Sequence, residues 1–193
     1  MHADLPPSPW ITARAALLRA LHGQRPRHAL DVACGHGRHA RWLAQQGYHV
    51  TAVDRDPQAL AALADLGPAV TPLQADLEDA PWPLPGRTFD VVLVTNYLWR
   101  PLLPTLVASL APGGVLLYET FAAGQETVGR PARADFLLQP GELLHACTGL
   151  RVLAYEDGFD PRGPRFVQRI VALRPPGDAT EPPRLPLAGV DAG

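Results

Sequence analysis

The stretch Phe89–Thr95, FDVVLVT, constrains the fold more than any other part of the chain. It is nearly all apolar, has the length of a strand and is rich in β-branched residues. Those features predict a strand in the middle of a parallel sheet covered on both faces. The rest of the chain alternates in the way such a sheet needs. Strands are expected over 28–33, 49–53, 70–75, 89–95, 115–120, 150–155 and 166–173. Helices are expected over 10–21, 38–46, 57–66, 101–110 and 140–147. Strands alternating with helices give a doubly wound α/β sheet with right-handed crossovers. The last connection is different. Residues 156–165 are too few for a parallel crossover and are rich in Gly and Pro, so the last two strands should form an antiparallel hairpin. The expectation is a mostly parallel sheet of seven strands with an antiparallel last strand.

Composition narrows the function classes. A chain of 193 residues, 47% hydrophobic and 19% charged, suits one globular domain. We assign it to 1–174, with 1–27 as an N-terminal cap segment and 175–193, dominated by Pro, Gly and Ala, as a disordered tail. A net charge of −2 argues against a nucleic-acid partner. No apolar run is long enough to span a bilayer, and no signal-peptide pattern opens the chain, so a cytoplasmic location is expected. The two cysteines, Cys34 and Cys147, do not make a disulfide framework. The chain has no lysine, which excludes Schiff-base chemistry and a Walker-type phosphate loop. Of its two serines, Ser8 and Ser109, neither lies in a nucleophile elbow.

In open α/β sheets the ligand lies beyond the carboxyl ends of the strands, where strand order reverses. The first strand runs into Asp31-Val-Ala33-Cys34-Gly35-His-Gly37. Its glycines let backbone approach a ligand, and free N–H groups of the following helix face it. The second strand ends in Asp54-Arg55, with the acid placed to accept from both hydroxyls of a ribose. The third ends in Asp76-Leu77, where the acid can accept from an exocyclic amine and a backbone N–H can serve a ring nitrogen. Together these ends offer partners for an adenosine. Asp56, beside Pro57, reads as a helix cap.

Asp31–Gly37, Val53-Asp54, Ala75-Asp76-Leu77, Phe89–Val92 and Leu110–Val115 resemble, in order and spacing, the consecutive motifs of class I S-adenosylmethionine (SAM)-dependent methyltransferases. A looser likeness is to small bacterial enzymes of the tellurite-resistance kind. The resemblance implies a Rossmann-like fold, SAM as cofactor and methyl transfer to a small-molecule acceptor by in-line displacement. It places Asp31 beneath the methionine end of SAM, Gly35 and Gly37 along its methionyl and ribose parts, Asp54 on the ribose and Asp76 on the adenine. Gly35–Ala40 also fits the NAD fingerprint, so an NAD-dependent oxidoreductase is the alternative. A SAM-binding module without transfer activity is the second alternative.

At the acceptor side, the fourth strand ends in Thr95-Asn96-Tyr97 and the fifth in Tyr118-Glu119-Thr120. Asn96 is placed to hold the SAM ammonium through its carbonyl, Tyr97 to wall the methyl or touch the acceptor, and Glu119 to serve as a base. A base is needed only where the acceptor must lose a proton. The long loop 122–138, with Arg130, Arg133 and Asp135, is expected to cover the acceptor with Trp10, Trp99 and Arg100. Arginines there favour a small anionic acceptor. Cys34, His36 and His39 do not supply a fixed zinc ligand set, so no metal is expected. The sequence leaves the oligomeric state open.

Overall fold

A computed structural model describes residues 5–23 and 27–177. The part of the expected tail from residue 178 onward lies outside the described residues. The helix expected over 10–21 is two helices, α1 (Pro9–Thr12) and α2 (Ala15–His22). They part at Arg14, whose bridge-region backbone (φ −89°, ψ 2°) sets its guanidinium over the Trp10 ring, 4.6 Å from the centroid.

The sheet begins with β1 (His28–Val32), α3 (Arg38–Gln45) and β2 (His49–Asp54). Next comes α4 (Pro57–Ala61), which the Asp56 carboxylate caps by accepting from the Gln58 N–H. Asp56 is thus the cap its place before Pro57 suggested. This helix is shorter than expected. It gives way to a 3₁₀ segment, Ala64–Ala69, in which Gly67 turns left-handed (φ 58°) ahead of Pro68. Pro68 disfavours helical backbone at Gly67, so no helix runs unbroken past Leu66. Then follow β3 (Val70–Gln74), β4 (Phe89–Thr95) and α5 (Leu103–Ala108). The chain continues through β5 (Leu110–Phe121), α6 (Glu142–Ala146), β6 (Arg151–Asp160) and β7 (Arg165–Leu173).

The seven strands lie in the order β3-β2-β1-β4-β5-β7-β6. All neighbours are parallel except β7, which runs antiparallel to both β5 and β6. The final hairpin inferred from loop length is therefore present, and its strands are longer than expected. Its turn is only Pro161–Pro164.

Every residue of β4 is buried. Its side chains alternate between two cores. Val91 and Leu93 meet Leu18, Trp42, Leu43 and Leu63 on one face. Val92 and Val94 meet Leu102, Leu106 and Leu143 on the other. Strand order reverses between β1 and β4. The carboxyl ends of these two strands, with β2 and β3 to one side and β5 and the hairpin to the other, form the edge where the site lies.

Candidate active site

The backbone at this edge is bent in two places that L-residues rarely tolerate. Ala33, just after β1, has φ 51°, and Asn96, just after β4, has φ 53°. They are the non-glycine residues with positive φ among the described residues. Such strain concentrates at ligand sites. Both were singled out from the sequence. Gly35 (φ 54°) and Gly37 (φ 72°) complete the loop after β1. A Cβ on Gly37 would stand 1.9 Å from Leu63 Cδ2, so that turn needs both the conformation and the small size of glycine.

Hydrogen bonds fix the loop to β2. Cys34 N donates to Val53 O (3.0 Å), and Gly35 N donates to Asp54 Oδ2 (2.7 Å). The other oxygen of Asp54 accepts from Asp56 N (2.9 Å). Asp76 accepts from Glu78 N (2.9 Å), which turns the chain after β3. These acids line one cavity of about 150 Å³ with Ala33, Arg55, Ala75, Leu77, Glu78 and Tyr97. Tyr97 therefore stands over the Asp54–Asp76 side of the site. Its buried hydroxyl has no partner, and burial pushes its ionisation above the usual phenol range. Burial also pushes the Cys34 thiol up, so it is not a nucleophile near neutral pH.

Asp31 is the most perturbed acid of the edge. It is 1% exposed, and its Oδ2 has no hydrogen-bond partner. Burial pushes its carboxyl up to about 7, against the opposing pull of the Ala40 backbone and the Arg38 guanidinium. A buried, unpartnered carboxylate oxygen calls for a cation.

A second group of polar side chains lies on the same face of the sheet. The Ser8 N–H donates to His39 Nε2 (3.0 Å), which leaves the proton of the neutral ring on Nδ1, facing Thr95 Oγ1 at 3.2 Å. Burial and the neighbouring Arg38 push His39 down to about 3, so it is neutral. The Ser8 hydroxyl donates to Glu119 Oε2 (3.1 Å). Glu119 has no exposed surface and pairs with Arg169 (2.7 Å) and Arg165 (3.2 Å). Arg169 also holds Asp160 (2.6 Å) and Glu156 (3.1 Å), and Trp10 Nε1 donates to Glu156 (2.7 Å). The segment from Ser8 to Trp10 is thereby tied to α3, β5 and β6.

The structure brings Ala33, Asp54, Arg55, Asp76, Leu77 and Tyr97 to one cavity and sets Asp31, Cys34, Gly35, Gly37, Thr95 and Asn96 beside it. Glu119 lies apart, enclosed by arginines. Arg100 is committed to the fold, with a bidentate pair to Glu142 and donations to the carbonyls of Asp135 and Leu137. Arg130 and Arg133 are exposed, and Arg133 pairs with Asp135. The sequence reading passed over Ser8, Arg38, Arg165 and Arg169. A usable signal was present: Arg165 and Arg169 alternate with Val167 and Val171, which puts two cations on one face of a strand that should be buried. Among the described residues, no three His, Cys, Asp or Glu side chains form a metal-binding group. No helix there is long and apolar enough to cross a membrane.

Residues 29–114 match the family model described as a methyltransferase domain. Among curated proteins, the chain is 28% identical over 156 residues to hemagglutinin 1 of Eikenella corrodens, covering 76% of this chain and 51% of that protein. It is 35% identical over 150 residues to trans-aconitate 2-methyltransferase of Paracidovorax citrulli, covering 71% and 56%. It is 29% identical over 153 residues to malonyl-[acyl-carrier protein] O-methyltransferase of Salmonella typhimurium, covering 72% and 60%. The chain thus spans between half and three fifths of the length of these relatives. Its fold is shared with TehB of Haemophilus influenzae (TM-score 0.65, 20% identity, 84% of this chain and 62% of that one). Residues 29–114 thus match a methyltransferase domain, and fold and motif order are similar to those of class I SAM-dependent methyltransferases.

The residues present fit SAM. The unpartnered oxygen of Asp31 suits its ammonium, the Asp54 carboxylate its ribose, and the walls at Asp76 and Leu77 its adenine.

Proposed function

We propose that the protein methylates a small carboxylic acid, transferring the methyl group of SAM to a carboxylate oxygen by in-line displacement. When bound, SAM supplies a methyl group already activated on a sulfonium. The chain's own residues then have to hold both partners in line and keep water out.

One observation carries the choice of acceptor: of the groups expected at the acceptor side, neither Tyr97 nor Glu119, nor His39 beside Thr95, is free to act as a base near neutral pH. His39 is neutral, pushed down to about 3, and both its ring nitrogens are engaged. Glu119 is held by two arginines and a serine. The Tyr97 hydroxyl is shifted further from ionising. An acceptor that must lose a proton is poorly served here. A carboxylate is already ionised at neutral pH and brings its own lone pair, so no proton has to move. The relatives named for trans-aconitate and for malonyl-[acyl-carrier protein] agree with an acidic acceptor.

In this reading Asp31 and the backbone of Ala33–Gly37 hold the methionyl part. Asp54, Arg55, Asp76, Leu77 and Tyr97 enclose the adenosine, while Thr95 and Asn96 border the methyl group. Glu119 anchors the Ser8 segment and is not a base.

Calorimetry with SAM, S-adenosylhomocysteine (SAH) and NAD tests the cofactor. Micromolar binding of SAM and SAH, without NAD, is expected. NAD binding in place of SAM would mean an oxidoreductase. Incubation with SAM and a panel of small carboxylic acids should yield SAH and a base-labile methyl ester. SAM binding without SAH formation on any acceptor would mean a binding module.

A further inference from the structure

Two arginines pair with the buried carboxylate of Glu119, a third, Arg38, stands close enough to feel its charge, and these charges do not balance locally. Arg169 is matched: its remaining guanidinium nitrogens take Asp160 and Glu156. Among the described residues Arg165 has only Glu119, through Nη2, and its buried Nε has no partner. Arg38 is half buried, and its one hydrogen bond among the described residues goes to the carbonyl of Pro6 (3.3 Å). Arg38 also feels the charge of Glu119, Arg165 and Asp31, so it stands between the methionyl acid and the Glu119 group. Among the described residues the guanidinium of Arg165 is thus incompletely paired, and that of Arg38 has no ion-pair partner. Such groups are costly to leave unpaired in a partly desolvated place, and an Arg fork is built to take a carboxylate.

We propose that Arg38 and Arg165 form a clamp for a carboxylate of the acceptor, and that the acceptor is a small di- or tricarboxylate. A carboxylate paired with two guanidinium groups loses nucleophilicity, so the clamped group is not the one methylated. A second carboxylate, outside the clamp, takes the methyl group. This rests on the methyl-transfer reading above and adds the requirement for two acidic groups on one acceptor.

The test uses the full chain. Glutarate, succinate and propane-1,2,3-tricarboxylate are each compared with their mono-amides, both as ligands of the SAH-loaded protein in calorimetry and as acceptors in SAH release. At least tenfold tighter binding and tenfold higher kcat/KM is expected for one polyacid over its mono-amide. Arg165→Gln should erase that preference while leaving the Kd for SAH within twofold, and Arg38→Gln should erase it as well. Arg165→Lys, which keeps a charge beside Glu119, should fold normally by thermal melting and retain part of the preference. Mono-amides that serve equally, or a panel without binding to the SAH-loaded protein, would overturn the proposal. So would a loss of SAH affinity matching the loss of acceptor preference, since the arginines would then hold the methionyl carboxylate of the cofactor. Failure of the protein to bind SAH at all would instead remove the methyl-transfer reading itself.

Discussion

Asp31→Asn should make the ligand-free protein more stable in alkaline buffer and remove the pH dependence of cofactor binding. The Asp31 carboxyl moves from 3.8 to about 7 because burial disfavours its ionised form. That shift corresponds to a preference for the neutral acid on the order of 4 kcal/mol. Between pH 4 and 7 the folded chain keeps a proton that the unfolded chain has released. Stability therefore falls as pH rises through that window, and the loss is complete above pH 7. Asn has the same shape and cannot ionise. In urea melts the two proteins should be about equally stable near pH 5. At pH 8 the Asn variant should be ahead by roughly 1–3 kcal/mol, less than the full figure because its amide brings new donors to satisfy. Binding should show the converse. The ammonium of SAH needs the ionised acid, so the wild-type affinity should rise about tenfold per pH unit from 5 to 7. It should level off between the Asp31 transition and the titration of the ligand's own amine. The Asn variant should bind weakly, with no such slope. A wild-type affinity that is flat from pH 5 to 7, or an Asn variant no more stable than the wild type at pH 8, would refute this account of the site.

Gly37→Ala combines a left-handed backbone with a Cβ placed against Leu63, so it should cost about 1–3 kcal/mol in urea melts. It should also weaken SAH binding by calorimetry. Glu119→Gln leaves Arg169 and Arg165 short of a charge, and breaking such a buried pair costs about 3–5 kcal/mol. The expected signature is a large fall in melting temperature with methyl transfer by the surviving folded fraction largely kept. An intact melting temperature with lost turnover would restore Glu119 as a base. Gly114→Ala would press a Cβ to 2.7 Å from the Phe89 carbonyl and 2.8 Å from that of Ala111. Both are backbone atoms that cannot step aside, so a loss of about 1–3 kcal/mol is expected in the same melts.

The parts of this molecule legible in the sequence are those set by local rules. FDVVLVT reads as a central strand because burial on both faces leaves no place for alternation. The reversed β7 follows from the few residues between it and β6, too short for a crossover. The glycine loop and the acids after β1, β2 and β3 are legible because a ligand at strand ends needs small backbone and hydrogen-bond acceptors at fixed offsets. Local rules also mark the misses. The split at Arg14 depends on a single backbone conformation, and the change from α to 3₁₀ geometry after Ala61 keeps the apolar spacing almost unaltered, so periodicity reports neither.

The acceptor side was harder for a physical reason. Glu119 looks like a base in the sequence because it follows a strand at the right edge, and an acid at such a place has two common uses. The partners that favour the structural use, Ser8, Arg165 and Arg169, lie 111, 46 and 50 residues away. An ion pair of that kind leaves no spacing pattern. It exists only once β5 and β7 have set Glu119 opposite Arg169 in the sheet. The same pairing explains why the surplus charge of Arg38 and Arg165 is invisible in a chain of net charge −2. Net charge averages over the whole surface, whereas a site is defined by which charges the fold brings together and which of them it leaves unmatched.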